Sequence, residues 1–271
     1  MVSYAIVGAS RGIGLEYVRQ LAARPDAVVF PVVRNAANSR YLQEAVAGLS
    51  NVHILEAEVT DYPSLQASPQ RAASAISEKN GGALDCLIYS ACLTEQSVMI
   101  KAFASYDGNM DLLDDEFISA YKVNALGFIH AVQALLPLLR ASTSASGKRI
   151  VALGSAAADP HFIWNTKGAG AVAYSMTKAA QLLAQTKWAL ELAGDGFIVV
   201  SLSPGVVDTA DTFEGEGEWA AGRGNNVDSG YADLKTQKLD EGVALQIKVI
   251  DGLSAKDNGK FLAHTGEDYK F

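Results

Sequence analysis

Cysteine is scarce in this chain of 271 residues, which contains only Cys86 and Cys92. Two cysteines are too few for a disulfide framework, so both are expected to pack as small apolar side chains in a reducing compartment. The four histidines lie far apart in sequence and match no metal-ligand spacing. No metal site is therefore predicted.

Basic residues are also in deficit, with 22 Lys and Arg against 30 Asp and Glu and a net charge of −8. Nucleic acids and anionic membranes bind basic surfaces, so neither is predicted as a partner, although a local basic pocket for a phosphate is allowed. The chain lacks a run of about 18 apolar residues and a basic N-terminal stretch before an apolar core. These absences argue against a spanning helix and a secretion signal, and predict a cytoplasmic protein.

Short apolar runs alternate with amphipathic stretches along the whole chain. The runs are of strand length and apolar on both faces, which is typical of parallel strands buried on both sides. The apolar runs are 4–9, 27–33, 52–59, 84–91, 149–155, 197–203 and 259–264, and the helical patterns lie near 12–23, 38–48, 64–79, 112–142, 173–193 and 240–250. This alternation predicts one α/β domain over residues 1–271, a doubly wound parallel sheet (Rossmann fold) with helices on both faces.

Three features fit this pattern poorly. Pro31 interrupts the second strand and removes a ladder hydrogen bond, so we expect either a bulge there or pairing that begins after it. Residues 94–111 and 208–238 look irregular. The second of these segments is Gly-rich and acidic, and it is predicted to be a substrate lid or binding loop, or else disordered.

A glycine-rich stretch, VGASRGIG (7–14), ends the first strand and opens the first helix. Glycine allows a tight turn and close backbone approach, and the free N–H groups of a helix N-terminus favour an anion. A lone glycine triplet would suit any helix-opening turn, but the strand before it and the amphipathic helix after it favour a dinucleotide pyrophosphate.

The end of the second strand indicates which dinucleotide is bound. An NAD site usually has an Asp or Glu about twenty residues after the glycines, which accepts hydrogen bonds from the ribose. This chain has Arg34 there, and a guanidinium pairs with a 2′-phosphate but cannot accept a hydrogen bond. Arg11 in the glycine turn would add a second positive charge, so NADP(H) is predicted.

Two Tyr–Lys pairs occur at helical spacing, Tyr174 with Lys178 and Tyr231 with Lys235. Free tyrosine has a pKa near 10, and an ammonium one helical turn away stabilises the phenolate. Such a tyrosine is a usable general acid for a carbonyl oxygen. Tyr174 follows a core strand and starts an amphipathic helix, whereas Tyr231 lies in the polar lid, where a solvated pair is the natural interpretation.

Six motifs occur in an order that resembles the short-chain dehydrogenase/reductase family over nearly the whole chain. They are GASRGIG (8–14), LDCLIYSAC (84–92), VNALG (123–127), VALGSA (151–156), YSMTK (174–178) and SPGVVDT (203–209). The tail, residues 249–267, resembles that of the C-factor-like carbonyl reductases within this family.

The resemblance implies a role for each matching residue. Tyr174 would be the proton donor, Lys178 its partner and ribose ligand, Ser155 the hydrogen-bond partner of the substrate oxygen, and Asn124 part of a water-linked proton path. The residues predicted to bind the cofactor are Gly8, Ser10, Arg11, Gly12, Ile13, Gly14, Arg34, Asn35, Glu58, Val59, Ala91, Tyr174, Lys178, Pro204, Gly205, Val207 and Thr209.

The chain departs from the family pattern at several places. Tyr89, Ser90, Ala91 and Cys92 stand where the family usually has Asn-Asn-Ala-Gly, and Glu58 replaces the more usual Asp. Ser155 lies 19 residues before Tyr174, an excess that predicts an inserted loop at 159–171.

Other interpretations stay open for individual residues. Ser155 could be a helix cap or turn residue, and Asn124 could cap or break a helix. The aromatic residues of the two segments expected to flank the site suggest an apolar or aromatic substrate pocket, or else anchor their loops; they are Phe162, Trp164, Phe213 and Trp219.

The sequence thus predicts an NADPH-dependent reductase of a ketone or aldehyde, with a small-molecule substrate. A sensor that binds NADP without turnover and an alcohol dehydrogenase working in the oxidative direction are the competing hypotheses. A homo-oligomer paired through the long helices at 112–142 and 173–193 is allowed, as is a monomer.

Overall fold

The computed structural model describes residues 1–71, 82–144, 147–212 and 236–270. Seven strands in this part of the chain form one sheet. They are β1 (Val2–Val7), β2 (Ala27–Val33), β3 (Leu55–Glu56), β4 (Cys86–Tyr89), β5 (Lys148–Leu153), β6 (Phe197–Ser203) and β9 (Phe261–Ala263). Two shorter strands, β7 (Val206–Val207) and β8 (Thr236–Gln237), pair with each other.

Helices connect the strands. They are α1 (Gly12–Ala22), α2 (Arg40–Val46), α3 (Tyr62–Arg71), α4 (Gln96–Met99), α5 (Met110–Tyr121), α6 (Gly127–Arg140), α7 (Pro160–Thr166), α8 (Val172–Glu191) and α9 (Leu239–Gly252). Single 3-10 turns occur at Phe103–Tyr106, Ala156–Ala158, Ala193–Asp195, Ala210–Thr212 and Ala255–Asp257, and a π-helical turn, Lys122–Leu126, joins α5 to α6.

The seven strands are parallel and lie in the order β3-β2-β1-β4-β5-β6-β9. The chain first builds outward from β1 to β3, and then crosses back to place β4 on the other side of β1. The predicted doubly wound sheet is therefore confirmed. The crevice where the order reverses, between β1 and β4, is where ligands bind in open α/β sheets.

The core lies on both faces of the sheet. In β1, Ala5 and Val7 belong to the apolar cluster on one face, and Tyr4 and Ile6 to the cluster on the other. This alternation follows from the two-residue period of a strand. It explains why the runs are apolar at every position, as expected for strands covered by helices on both sides.

Pro31 is accommodated without breaking β2. On one side β2 pairs continuously with β1, with Pro31 opposite Ile6. On the other side the Val29 N–H donates to Asn51 O at 2.9 Å, so the nitrogen of Pro31, two residues on, faces the same edge. Pairing with β3 starts only at Val32. Before the proline, Val29 already forms a bridge with Val52 on this side, so pairing is interrupted at Pro31 and resumes at Val32. The expectation that pairing begins only after the proline is therefore wrong.

The segments predicted to be irregular contain some helix. Residues 94–111 form α4 and a 3-10 turn before α5 begins at Met110. The predicted inserted loop at 159–171 is largely wrong, because α7 occupies Pro160–Thr166, with Asp159 as its N-cap and proline at its first turn. Most of the predicted lid at 208–238, and with it the Tyr231–Lys235 pair, lies outside the described residues.

The expectation that no stretch of the chain is long and apolar enough to span a membrane needs a correction. Met110–Arg140 is continuous through the π turn, and by length and a mean hydropathy of 1.3 it meets the criteria for a membrane span. Half of that apolar window is buried inside the fold. The core helix of a sheet protein meets the same criteria, so the apolar composition is explained by packing.

Candidate active site

A cavity of about 570 Å³ opens at the carboxyl ends of the strands, over the crevice between β1 and β4. Most of the predicted site residues line it. These are Gly8, Ser10, Arg11, Gly12, Ile13, Arg34, Glu58, Val59, Ala91, Ser155, Tyr174, Lys178, Pro204, Gly205, Val207 and Thr209. The fold thus brings together residues from the glycine turn to the segment after β6.

The glycine turn forms a cradle that side chains would fill. Gly8 has a φ of +86°, and a Cβ on it would lie 2.5 Å from the Cα of Ala91. Gly14 does not line the cavity. A Cβ on Gly14 would lie 2.1 Å from the carbonyl oxygen of Gly8, so this glycine lets α1 pack against the turn. The space and the helix N-terminus suit a pyrophosphate.

Two arginines, Arg11 and Arg34, line the cavity. Burial lowers the pKa of Arg11 and the charge of Arg34 lowers it further, while Glu95 opposes the shift. A pair of mutually repelling cations is a strong site for a doubly charged phosphate. Asn35 does not line the cavity; its side chain accepts a hydrogen bond from the Asn38 N–H at 2.9 Å.

Tyr174 and Lys178 lie in the first two turns of α8, and both line the cavity. The Lys178 ammonium is 5.8 Å from the centre of the Tyr174 ring. Lys178 is 4% exposed, and its Nζ donates to the Leu153 carbonyl oxygen at 2.7 Å and to Gln181 Oε1 at 3.1 Å. The last residue of β5 therefore holds the ammonium beside the tyrosine.

Ser155 lies two residues after the end of β5, beyond Gly154, and lines the same cavity. Its Oγ also accepts a hydrogen bond from the Ala157 N–H at 3.2 Å, which caps the 3-10 turn at Ala156–Ala158. The helix-cap interpretation of Ser155 is therefore correct, and it does not exclude a substrate contact because a hydroxyl still has a proton to donate.

Asn124 is fully buried and does not line the cavity. It lies in the π turn, where its Oδ1 accepts from the Leu93 N–H at 2.7 Å and its Nδ2 donates to Thr177 Oγ1 at 2.9 Å. The helix is neither broken nor capped at this residue. Its amide joins the segment after β4 to α8, and π turns of this kind are frequent at functional sites.

The altered residues 89–92 have clear structural roles. Tyr89 donates a hydrogen bond from its hydroxyl to the Val123 carbonyl oxygen in the π turn, so it joins β4 to the long helix. Ala91 is the small residue that Gly8 packs against. Cys92 lines the cavity, and its Sγ donates to the Leu93 carbonyl oxygen at 3.7 Å. Burial raises the pKa of its thiol, and Lys178 only partly opposes this rise.

Several lining residues were missed by the sequence analysis. They include Ser90, Cys92, Leu93, Thr94, Glu95, Met99, Ile100, Val123, Leu153, Gly154, Ala171, Val206 and Thr236. Leu93, Met99 and Ile100 give the cavity an apolar wall. Of the predicted aromatic pocket, neither Phe162 nor Trp164 lines the cavity, and Trp164 is 75% exposed. Phe213 and Trp219 lie outside the described residues.

The short chain dehydrogenase family matches this chain over residues 3–219. The chain belongs to that family. Among its relatives, the short-chain dehydrogenase/reductase atnB of an Arthrinium species is 34% identical, and the match covers 98% of each chain.

Solved structures of the family share the fold. An NADPH-bound carbonyl reductase from chicken fatty liver has a TM-score of 0.79 and 24% identity over 99% of this short-chain dehydrogenase and 98% of its own chain. A short chain dehydrogenase from Burkholderia cenocepacia, solved in complex with NADP, has a TM-score of 0.72 and 26% identity over 98% and 96% of the two chains. The predicted family is therefore confirmed.

Proposed function

We propose that this protein is an NADPH-dependent reductase that converts a ketone or aldehyde to an alcohol. One observation carries the proposal: Tyr174 and Lys178 line the same cavity as the glycine turn and the arginine pair. A proton donor and a dinucleotide site therefore open into one space, as a hydride-transfer reaction requires.

NADP(H) is the cofactor that fits the described residues. The cradle at Gly8 would take the pyrophosphate, and Arg11 with Arg34 would pair with the 2′-phosphate. Lys178 would hold the nicotinamide ribose. The Burkholderia cenocepacia relative binds NADP and the chicken protein binds NADPH, which supports the same cofactor for this chain.

Tyr174 would supply the proton. Bound NADPH provides the hydride, and the carbonyl oxygen then needs a proton as negative charge develops on it. The adjacent Lys178 ammonium stabilises the phenolate that Tyr174 leaves behind, which makes the hydroxyl a stronger acid. The Ser155 hydroxyl would donate to the same oxygen and stabilise its developing charge.

The remaining roles follow from placement. Glu58 and Val59 would contact the adenine, and Pro204, Gly205, Val207 and Thr209 the nicotinamide end. Asn124 would support the proton path through the π turn rather than by contact with the cavity. The apolar wall of Leu93, Met99 and Ile100 supports an apolar substrate.

Three further statements from the sequence remain predictions. They are the cytoplasmic location, the absence of nucleic-acid and membrane partners, and the substrate lid at 208–238.

Replacement of Tyr174 tests the proposal. We expect Tyr174→Phe to lower kcat for ketone reduction by about 10²- to 10⁴-fold, because the general acid is lost. Binding of NADPH, measured by fluorescence titration, should stay close to that of the parent. Tyr121→Phe, at a 45% exposed tyrosine on α5, is the matched control and should leave kcat unchanged.

The same experiment separates the competing functions. A parent protein that binds NADPH but reduces no member of a panel of ketones and aldehydes would be a sensor without turnover. A parent that oxidises alcohols with NADP much faster than it reduces ketones would be an alcohol dehydrogenase. Equal kcat values for Tyr174→Phe and the parent would contradict the assigned proton donor.

A further inference from the structure

The buried face of α8 carries a column of polar side chains where a core helix normally places apolar ones. Thr177, Lys178, Gln181 and Gln185 are 2%, 4%, 1% and 0% exposed. Burial of a polar group is costly unless it is hydrogen-bonded. Each member of this column therefore needs a reason for being polar.

Gln181 contacts the ammonium of Lys178. Its Oε1 accepts from Lys178 Nζ at 3.1 Å, while the Leu153 carbonyl oxygen accepts from the same Nζ at 2.7 Å. An ammonium has three protons to donate. Two of them are thus held by fixed acceptors in the protein interior, and the third is left for the cavity, which Lys178 lines.

We propose that Gln181 is a positioning residue for the reaction, which holds the Lys178 ammonium in place beside Tyr174 and the ribose site. The inference rests on the proposed function. Gln181 does not line the cavity and acts only through Lys178.

The chemistry of the amide suits this role better than that of a carboxylate. A glutamine oxygen accepts a hydrogen bond without adding negative charge, so the full positive charge of Lys178 still acts on Tyr174. A carboxylate at residue 181 would pair with the ammonium and weaken its effect on the tyrosine hydroxyl.

Burial of the Gln181 amide has an energetic cost that its contact with Lys178 offsets only in part. Its Nε2 is buried and has no hydrogen-bond partner within the part of the chain that the structure describes. An unsatisfied buried donor destabilises a fold, and an apolar side chain of similar size would avoid that cost. The glutamine is thus explained by its one polar contact, which is Lys178.

Gln185 provides a matched control on the same helix face. It is equally buried, lies one helical turn further along α8, and donates from Nε2 to the Val199 carbonyl oxygen at 2.8 Å. No hydrogen bond between Gln185 and Lys178 occurs among the described residues. Gln185 Oε1, like Gln181 Nε2, is buried without a hydrogen-bond partner among the described residues, so the two glutamines differ mainly in whether they contact the lysine.

The test compares Gln181→Leu with Gln185→Leu in the full chain. We expect Gln181→Leu to lower kcat about tenfold, the equivalent of one lost hydrogen bond to a charged group, and to weaken NADPH binding severalfold. Its melting temperature should equal or exceed that of the parent. Gln185→Leu should keep the kcat and NADPH affinity of the parent.

Gln181→Glu separates positioning from packing. It keeps an acceptor for Lys178, so NADPH affinity should return to within about twofold of the parent. The added negative charge should move the alkaline limit of ketone reduction upward by about one pH unit, because Tyr174 then stays protonated to higher pH. The ionisable groups that face Lys178 in the described structure are Cys92, from the segment after β4, and Tyr174 on its own helix.

Two results would overturn the inference. One is equal kcat and NADPH affinity in Gln181→Leu and the parent. The other is equal losses in Gln181→Leu and Gln185→Leu, which would assign both effects to packing of α8. Should Gln181→Leu not fold, Gln181→Met tests the same loss of the acceptor. A parent without any reductase activity refutes the proposed function instead, and NADPH titration of the same variants still reports whether Gln181 positions Lys178.

Discussion

Backbone strain and a close contact both constrain Gly8, and comparison with Gly48 can separate the two effects. Its φ of +86° is unfavourable for any residue with a Cβ, and a Cβ there would overlap the backbone of Ala91. Gly48 has a similar φ of +78° but open space around it. The pair therefore distinguishes backbone strain from steric overlap.

We expect Gly48→Ala to lower the free energy of unfolding by about 1 kcal/mol, the cost of the left-handed conformation alone. Gly8→Ala should lower it by about 3 kcal/mol or more, because either β1 or the segment after β4 must also shift. Urea unfolding measures both. Similar losses in the two variants would show that the close approach to Ala91 has little effect on stability.

Arg34 is predicted to determine the choice between NADPH and NADH. Arg34→Asp should raise KM for NADPH about 10- to 100-fold, because a charge-assisted hydrogen bond to the 2′-phosphate is lost and a repulsion is added. KM for NADH should fall, since a carboxylate can accept from the ribose hydroxyls.

Arg40→Asp is the matched control for Arg34, with the same change in net charge. Arg40 is exposed on α2, where it pairs with Glu44, and it does not line the cavity. Its replacement should leave both KM values near those of the parent. A loss of NADPH affinity in the control as large as in Arg34→Asp would contradict a specific phosphate contact.

At the scale of secondary-structure elements, the contact between β4 and the long helix depends on Tyr89 and Gly127. A Cβ on Gly127 would lie 2.5 Å from the Tyr89 hydroxyl and 3.1 Å from Val59. The hydroxyl in turn donates to the carbonyl oxygen of Val123, which lies in the π turn. The close helix approach and the hydrogen bond are therefore coupled.

We expect Tyr89→Phe to lower the free energy of unfolding by about 1–2 kcal/mol, because a buried hydrogen bond is lost. Gly127→Ala should cost about 1–3 kcal/mol in the parent and clearly less in the Tyr89→Phe background, where the overlapping hydroxyl is gone. A double-mutant cycle by thermal or urea unfolding measures this coupling. Additive effects of the two substitutions would contradict the predicted coupling between the Tyr89 hydroxyl and Gly127.

At the scale of the whole molecule, a partly buried ion pair between Lys101 and Glu116 links stability to pH. Burial opposes ionisation of Glu116, but hydrogen bonds from Lys101 and Tyr106 and the lysine charge hold the pKa of its carboxyl below the usual value of 4.5. The three residues fasten the segment that carries Met99 and Ile100 to α5. A carboxyl with a depressed pKa stabilises the fold above its unfolded pKa, and that stability is lost as pH falls through the folded pKa.

We therefore expect the free energy of unfolding to fall as the pH drops below about 4.5, in one cooperative transition as the proposed single domain requires. Glu116→Gln should be less stable than the parent by about 1–2 kcal/mol at neutral pH, and its profile should be flatter in acid. Urea unfolding at several pH values checks both statements. Parallel profiles for the variant and the parent would contradict the assigned contribution of Glu116.

The sequence by itself determined the sheet and the motif residues. Strands buried on both faces must be apolar at every position, and glycines, Arg34 and the Tyr174–Lys178 spacing are local patterns that need no distant partner to be recognised. The doubly wound arrangement follows from the same pattern, because parallel strands joined by helices have few allowed topologies, whereas the order of all seven strands is a finding of the structure.

Only the tertiary structure decided which other residues reach the cavity and what supports them. The hydrogen bonds of Tyr89 to the π turn and of Asn124 to the segment after β4 each join residues more than thirty positions apart, which only the fold brings together. Gln181 is only three residues from Lys178, yet nothing local shows that its side chain is buried. The burial depends on how α8 packs against the sheet, which is a property of the whole fold.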